Sequence, residues 1–221
     1  MGEEMTRFSI IVPHYDGVIS DKMFIEGMDS LENSTFKDFE VLIYHDGPVN
    51  RPIPELSGYT FNYKVKETKT RYNNWGHSLR DLGIREATGD YIIHFNPDNI
   101  LYADALFNID KSISRINELA GGEVDIVLCP IHMEGMVRVN SDVNNGISLF
   151  RTNDKRDILV MDAYPPIVQN IDCMQLVGKR SMWLSKGGWY NKDEISDGLI
   201  YQELCRNYSY TSCCSVIGLH R

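Results

Sequence analysis

Short apolar runs alternate with amphipathic segments along the first part of the chain. The runs at residues 8–12, 40–44, 91–95 and 124–129 are nearly continuous, which is typical of strands that a parallel sheet buries on both faces. Between them, apolar positions recur with helical spacing, most clearly at residues 102–120. This alternation predicts an α/β fold in which helices flank a mixed, mainly parallel sheet.

Capping and turn residues mark the ends of the predicted helices. Ser20 offers an N-cap for a first helix, and a second helix is expected from near Trp75 to Gly89. Gly121 follows the third helix at the position where a helix commonly stops. A polar strand is expected near residues 61–66.

The pattern changes after residue 130. Residues 147–150 and 157–161 flank a polar Thr-Asn-Asp-Lys stretch and predict a hairpin, and a short helix is expected near residues 194–207. No linker is long enough to separate two domains. We therefore predict a single domain over residues 1–221 with two halves, 1–130 and 131–221.

The composition is that of a folded protein without a basic surface. The chain has 221 residues, of which 43% are hydrophobic, so a substantial core needs no disulfides or metal to stabilise it. Lys and Arg number 22 against 31 Asp and Glu, which gives a formal net charge of -9. This balance argues against a protein that binds nucleic acid or an anionic membrane through bulk charge, so local groups must bind any anionic ligand.

Cysteine usage and hydropathy indicate the compartment. The five cysteines are scattered and contain no C-x-x-C pair, which favours neither a disulfide framework nor a zinc site. No stretch approaches the roughly 18–20 apolar residues of a transmembrane helix, and the first residues lead into a strand without a signal-peptide core. We therefore expect a soluble, cytoplasmic protein with no transmembrane segment.

Polar clusters follow three of the predicted strands. Ligands of open parallel sheets bind outside the carboxyl ends of the strands, so these clusters are expected to converge on one cleft. Each cluster alone is equally typical of an ordinary turn, and it is their joint placement that favours a site. The clusters are Pro13-His14-Tyr15-Asp16, His45-Asp46-Gly47 and Asn96-Pro97-Asp98-Asn99.

Asp98 is the strongest single candidate in these clusters. A carboxylate behind an apolar strand, in an otherwise neutral Asn-Pro-Asp-Asn turn, suits a hard divalent cation. Mg²⁺ or Mn²⁺ held in this way keeps waters and takes other ligands from substrate phosphates, so one or two protein ligands suffice. Such a cation would let a chain of net charge -9 bind a diphosphate.

Three stretches carry a resemblance to a known family. They are residues 10–15 (IIVPHY), 39–47 (FEVLIYHDG) and 74–92, which begins NWG and, from residue 80, reads RDLGIREATGDYI. These stretches resemble the GT-A nucleotide-sugar glycosyltransferases, in particular the large inverting family 2, over residues 8–107. The resemblance implies a GT-A fold, with a nucleotide-sugar-binding half before residue 130 and an acceptor-side half after it.

Carried over by position, the resemblance implies roles for residues of the three clusters. Pro13 and Tyr15 would line the nucleotide pocket, and Asp46 would hydrogen-bond uracil or another base. Asn96 and Asp98 fall on the first and last positions of the family's Asp-x-Asp motif. The first of these positions contacts ribose or metal, and the last binds metal.

A weaker resemblance near the end of the chain implies the catalytic base. Gly187-Gly188-Trp189 followed by Ser196-Asp197-Gly198 is similar to the family's Gly-Gly-aromatic stretch and its Glu-Asp pair. Asp197 falls on the general base, which takes the proton of the acceptor hydroxyl as that oxygen attacks the anomeric carbon. Three positions depart from the pattern: Asn96 and His45 each replace an Asp, and Ser196 replaces a Glu.

Further residues are candidates for the metal, the donor and the acceptor. Residues 214–220 resemble a strand that ends in a His metal ligand in several GT-A families, so His220 could compensate for Asn96. Arg71 is the first-ranked diphosphate contact. Trp189 and Tyr190 are candidates for stacking on an acceptor sugar, whose C–H face suits a flat apolar ring. The other basic candidates are expected to be solvated surface charges: Arg80, Lys179 and Arg180.

Three hypotheses follow. The first is a metal-dependent transferase that moves a sugar from a nucleoside-diphosphate sugar, with a UDP-sugar preferred, to a saccharide or other hydroxyl acceptor with inversion. The second is a nucleotidyltransferase, although residues 12–20 contain neither Arg nor Lys of its usual loop. The third is a catalytically silent nucleotide-sugar-binding module, motivated by Asn96 and Ser196. The chain is either a minimal catalytic core or one domain of a longer polypeptide.

Overall fold

The computed structural model describes residues 6–50, 53–141, 146–168 and 171–221. The helices in these residues are α1 (Asp21–Glu32), α2 (His77–Glu86), α3 (Ala105–Ala120), α4 (Arg180–Ser185) and α5 (Ser196–Asn207). The first strands are β1 (Phe8–His14), β2 (Phe39–His45), β3 (Asn62–Glu67), β4 (Tyr91–His94), β5 (Ile100–Leu101) and β6 (Ile126–Leu128). The later strands are β7 (Ile131–Glu134), β8 (Met136–Ser141), β9 (Gly146–Arg151), β10 (Ile158–Met161), β11 (Leu176–Lys179), β12 (Tyr210–Ser212) and β13 (Gly218–His220).

Seven strands form the central sheet in the order β12-β6-β11-β4-β1-β2-β3. The strands β3, β2, β1 and β4 are parallel neighbours, and β12 is parallel to β6. In contrast, β11 is antiparallel to both β4 and β6. The predicted mixed, mainly parallel sheet is confirmed, and strands from both sides of residue 130 build it.

Helices cover both faces of the sheet, which explains why the strand patterns are continuously apolar. All seven residues of β1 are buried. Phe8, Ile10 and Val12 pack in the same cluster as α1 and α3, whereas Ile11 packs with α2 on the other face. A Cβ on Gly83 of α2 would lie 2.5 Å from the Ile11 Cγ2, so α2 rests directly on β1. This close packing holds α2 against the middle of β1.

The predicted helix ends are confirmed where the structure shows cap geometry. The Ser20 hydroxyl accepts a hydrogen bond from the Met23 N–H, 3.3 Å away, at the start of α1. Gly121 ends α3 with a φ of 65°, a backbone conformation that favours glycine. Helix α2 ends at Glu86, three residues before Gly89.

The predicted hairpin between residues 147–150 and 157–161 is wrong. β9 pairs antiparallel with β8, and β10 pairs antiparallel with β7, so the two predicted strands lie end to end on one side of a longer hairpin. Gly135, with a φ of 68°, joins β7 to β8 and forms backbone hydrogen bonds with both Thr152 and Asp157. The polar stretch between Thr152 and Asp157 therefore interrupts one side of this hairpin, between β9 and β10, and is not the hairpin turn.

Candidate functional site

A cavity of about 530 Å³ lies at the carboxyl ends of β1, β2 and β4. The polar clusters that follow these strands converge there, as the ends of parallel strands do in open sheets. The predicted residues that line this cavity are Pro13, Tyr15, Asp46, Arg71, Asn96 and Asp98. The other predicted residues lie outside its lining: Asp197, His220, Trp189 and Tyr190.

Asp46 holds the loop that forms one wall of the cavity. Its Oδ1 accepts the Tyr72 N–H at 2.7 Å, and its Oδ2 accepts the Asn73 N–H at 2.9 Å. Each carboxylate oxygen retains a second acceptor position, so Asp46 can still bind a ligand donor. The side chain thus has a loop-positioning role that the sequence reading did not include.

Arg71 and Tyr15 form a stacked pair in the same cavity. The Arg71 guanidinium carbon lies 3.6 Å from the centroid of the Tyr15 ring, and the Arg71 Nη1 donates to the Tyr15 hydroxyl at 2.8 Å. Arg71 keeps 44% of its side chain exposed. The pair therefore presents a flat, positively charged surface that suits an aromatic ring or an anion.

The turn before α2 is strained and closely packed. Asn73 and Trp75 have φ values of 54° and 52°, which non-glycine residues rarely adopt, and Gly76 follows with a φ of 79°. A Cβ on Gly76 would lie 2.7 Å from the Pro13 Cβ, so the turn lies against the end of β1. Only a residue without a side chain fits at this point.

Arg80 connects this turn to the end of β4. Its Nη1 donates to the Trp75 carbonyl oxygen at 2.7 Å, and its Nη2 donates to the Asn96 Oδ1 at 2.7 Å. Only 3% of Arg80 is exposed, so the expectation of a solvated surface charge is wrong. The signal in the sequence was its place on the buried face of α2, three residues after His77 and three before Gly83.

Asp98 and His220 come together because β13 pairs with β5, directly after the Asp98 turn. Burial raises the pKa of the Asp98 carboxyl above its ordinary value, and the charge of the neighbouring His220 opposes this rise. The His220 Nε2 also lies 3.4 Å from the Asp172 Oδ2. Asp172 was missed by the sequence analysis because it follows no recognisable motif.

A divalent cation beside Asp98 and His220 would have few protein ligands. Within the described ranges, no group of three or more His, Cys, Asp or Glu side chains is placed to hold a metal ion by itself. The partly buried Asp98 carboxylate lines the cavity, and burial raises its pKa although the charges of His220 and Arg221 oppose this rise. A cation that takes its other ligands from substrate phosphates and water fits such a carboxylate.

Asp197 lies in the first turn of α5. Burial raises the pKa of its carboxyl above the ordinary value, and the negative charge of Asp172 raises it further. The Gly198 N–H donates to the Asp197 Oδ1 at 2.8 Å and opposes this rise. A carboxylate with a raised pKa is a stronger base than an ordinary Asp.

Trp189 is not an open stacking surface, which corrects its assignment to the acceptor. It is 0% exposed, its ring stacks on His77 at a centroid distance of 5.5 Å, and its Nε1 donates to the Ser196 Oγ at 3.0 Å. Ser196, where the family pattern has Glu, thus belongs to a buried cluster. Burial and then the charge of Arg80 lower the pKa of His77 to about 3, so its ring is neutral at pH 7. Tyr190 is 40% exposed and donates to Glu203.

Comparison with protein families gives a match over most of the chain. The profile described as glycosyl transferase family 2 matches residues 9–170. The amylovoran biosynthesis glycosyltransferase AmsB of Erwinia amylovora is 29% identical over 121 residues, which are 52% of this chain and 37% of AmsB. An uncharacterized glycosyltransferase of Rickettsia felis is 32% identical over 105 residues, which are 46% of this chain and 16% of that protein.

Solved structures share the fold. S. aureus TarS 1–349 superposes with a TM-score of 0.72 at 15% identity, over 96% of this chain and 60% of that chain. The mannosyltransferase PcManGT of Pyrobaculum calidifontis, solved with GDP-Man and Mn²⁺, gives a TM-score of 0.61 at 16% identity, over 99% of this chain and 57% of that chain. The chain thus spans less than two thirds of the length of each of these relatives.

The helices of the described ranges are all too short or too polar to cross a bilayer. The GT-A fold and the cavity at the strand ends agree with the profile match over residues 9–170, so the chain belongs to glycosyl transferase family 2.

Proposed function

We propose that this chain transfers a sugar from a nucleoside-diphosphate sugar to a hydroxyl acceptor. The single observation that carries the proposal is the cavity of about 530 Å³, which places Tyr15, Asp46, Arg71 and Asp98 around one space. This volume lies within the usual range for a site that binds a small ligand. A UDP-sugar is the preferred donor, and S. aureus TarS has been solved with both UDP and UDP-GlcNAc.

Different walls of the cavity suit different parts of a nucleotide-sugar donor. The stacked pair of Tyr15 and Arg71, with Asp46 behind it, suits a base and the adjoining phosphates, because it combines a planar face with donors and acceptors. Asn96, whose Oδ1 is already bonded to Arg80, retains its amide N–H groups for a ribose or phosphate oxygen. Asp98 and His220 would hold a divalent cation at the diphosphate end.

The proposed reaction requires a base and a stabilised leaving group. Asp197 would accept the proton of the acceptor hydroxyl while the acceptor oxygen forms a bond to the anomeric carbon. The bond from that carbon to the phosphate oxygen breaks, and its electron pair leaves with the nucleoside diphosphate. When bound, Mn²⁺ or Mg²⁺ would supply positive charge next to the departing diphosphate. Attack from the side opposite to the leaving group inverts the anomeric carbon.

A panel of UDP-, GDP- and dTDP-sugars with Mn²⁺ tests the proposal through thermal unfolding. A donor present at a hundred times its Kd stabilises the native state by about 2.7 kcal/mol. For a domain of this size, that corresponds to a rise in Tm of about 5–10 °C. The same donor should be consumed, slowly with water alone and faster with an acceptor.

Other outcomes of this panel would contradict the proposal. If no nucleotide sugar raises the Tm and the chain consumes none of them, it is not a nucleotide-sugar transferase. Binding without any consumption over a long incubation would indicate the silent binding module. Formation of a nucleotide sugar from a nucleoside triphosphate and a sugar phosphate would indicate a nucleotidyltransferase.

The substitution Asp46→Asn should weaken nucleotide binding by loosening the 71–76 loop. An amide cannot accept both the Tyr72 and the Asn73 N–H, because one of its two polar atoms is a donor. We expect the Kd for UDP with Mn²⁺, measured by calorimetry, to rise about tenfold, which is about 1.4 kcal/mol. The control is Asp154→Asn, which removes a carboxylate that pairs with Arg156 and lies outside the cavity lining. An unchanged Kd in Asp46→Asn would contradict the positioning role.

A further inference from the structure

Trp75 is the exposed indole of the chain. The sequence contains three tryptophans, and Trp183 and Trp189 are each 0% exposed. Trp75 is 62% exposed and lines the cavity at the strand ends. Its ring is therefore the tryptophan face that a ligand in this cavity can contact.

The backbone holds this ring in place at a conformational cost. A bulky aromatic residue at a φ of 52° is an outlier that persists only where surrounding contacts impose it. Two hydrogen bonds hold the turn. The Arg80 guanidinium donates to the Trp75 carbonyl oxygen at 2.7 Å, and the Asp46 carboxylate accepts the Asn73 N–H at 2.9 Å. An exposed ring gains little from burial, so stability of the fold does not explain a tryptophan at this strained position. Outliers of this kind concentrate at ligand sites.

The position of the ring distinguishes between donor and acceptor. The Trp75 ring centroid lies 6.2 Å from that of His77. The His77 Nε2 lies 3.1 Å from the Ser196 Oγ, and Ser196 directly precedes Asp197. Contacts through His77 and Ser196 thus link Trp75, in the cavity lining, to the segment that carries the proposed base. Tyr15 and Arg71, the proposed nucleotide-binding pair, line the same cavity beside Gly47, which follows β2.

We propose that Trp75 binds the acceptor sugar by stacking its indole on the apolar C–H face of a pyranose ring. The proposal rests on the proposed function, because an acceptor must reach both the anomeric carbon and Asp197. It assigns to Trp75 the stacking role that the buried Trp189 cannot perform. An indole offers a large apolar face at a low entropy cost, and such a face selects for ring shape more than for individual hydroxyl groups.

Intrinsic fluorescence reports on this contact directly, because the other two tryptophans are buried. The full chain is saturated with UDP and Mn²⁺ and titrated with methyl glycosides of glucose, galactose, mannose and N-acetylglucosamine. At least one glycoside should change the emission in a saturable way in the wild-type protein and not in Trp75→Phe. The proposal is overturned if no glycoside changes the emission, if UDP alone produces the whole change, or if Trp75→Phe retains it.

Kinetics with the glycoside that gives the strongest response separate binding from a structural role. In Trp75→Gly, the KM for this acceptor should rise at least tenfold, and by a larger factor than the Kd for UDP. The Tm should not fall, since glycine adopts a positive φ without strain. Trp75→Tyr should retain most of the acceptor affinity. An unchanged acceptor KM in Trp75→Gly, or a fall in Tm with a parallel loss of UDP binding, would overturn the proposal.

The two proposals fail in different ways. A wild-type chain that binds no nucleotide sugar refutes the proposed function and this inference with it. A chain that binds and consumes a donor, but whose acceptor KM is the same with or without the indole, refutes only the role of Trp75.

Discussion

Replacing Asp98 with Asn is expected to abolish the dependence of donor binding on a divalent cation. The substitution keeps the shape of the side chain and removes the carboxylate charge that lines the cavity beside His220. Turnover should fall on the order of 10²–10³-fold, because the departing diphosphate loses its main source of compensating charge. Calorimetric titration of UDP with and without Mn²⁺, together with release of nucleotide from the donor, measures both effects.

The matched control for this variant is Asp104→Asn. Asp104 is an exposed carboxylate six residues further along the chain and outside the cavity lining. It should leave the effect of Mn²⁺ on the UDP affinity unchanged. If Asp98→Asn keeps the full effect of Mn²⁺, the cation is held elsewhere and the proposed metal site is refuted.

Replacing Asp197 with Asn should stop transfer while leaving donor binding nearly intact. The amide oxygen can still accept the Gly198 N–H, so the start of α5 keeps its geometry. The amide cannot take a proton from the acceptor, and loss of a general base costs about 10²–10⁴-fold in rate. Transfer rates and the Kd for UDP measure the two parts, and NMR of the product reports the anomeric configuration.

The pH profile gives a second measure of Asp197. Its pKa is raised by burial and by Asp172, so the base becomes protonated at a higher pH than an ordinary Asp, and the wild-type rate should fall there on acidification. The control is Asp193→Asn, an exposed residue of the same segment, which should leave both rate and profile unchanged. A rate in Asp197→Asn within a few fold of wild type would show that another group is the base.

The fold before residue 130 could be predicted because each of its main strands is buried on both faces. Such strands are apolar without interruption, and the helices between them have a clear period. The later part could not be predicted in the same way, because its pairing depends on the partner strand and not on local pattern. Gly135 divides one long hairpin strand into β7 and β8, and this break concealed the true partners of β9 and β10.

The same distinction holds for the candidate site. Residues close to strand ends, such as Tyr15, Asp46 and Asp98, could be predicted to line the cavity, because strand ends fix their location. Arg80 could not, since its partners are the carbonyl oxygen of Trp75 and the Asn96 amide, which only the folded chain brings together. A charge on a helix is usually solvated. The burial of Arg80 is apparent only in the folded structure.

The position of β11 between β4 and β6 has a consequence for synthesis of the protein. The sheet of β3, β2, β1 and β4 can form once β4 has left the ribosome, but the strand that covers its open edge is made about 85 residues later. At a synthesis rate of about 5–20 residues per second, the edge of β4 stays unpaired for roughly 4–17 s. Unpaired strand edges promote aggregation. The nascent chain therefore has its greatest need of chaperones in this interval, and the translation speed of residues 95–179 sets how long it lasts.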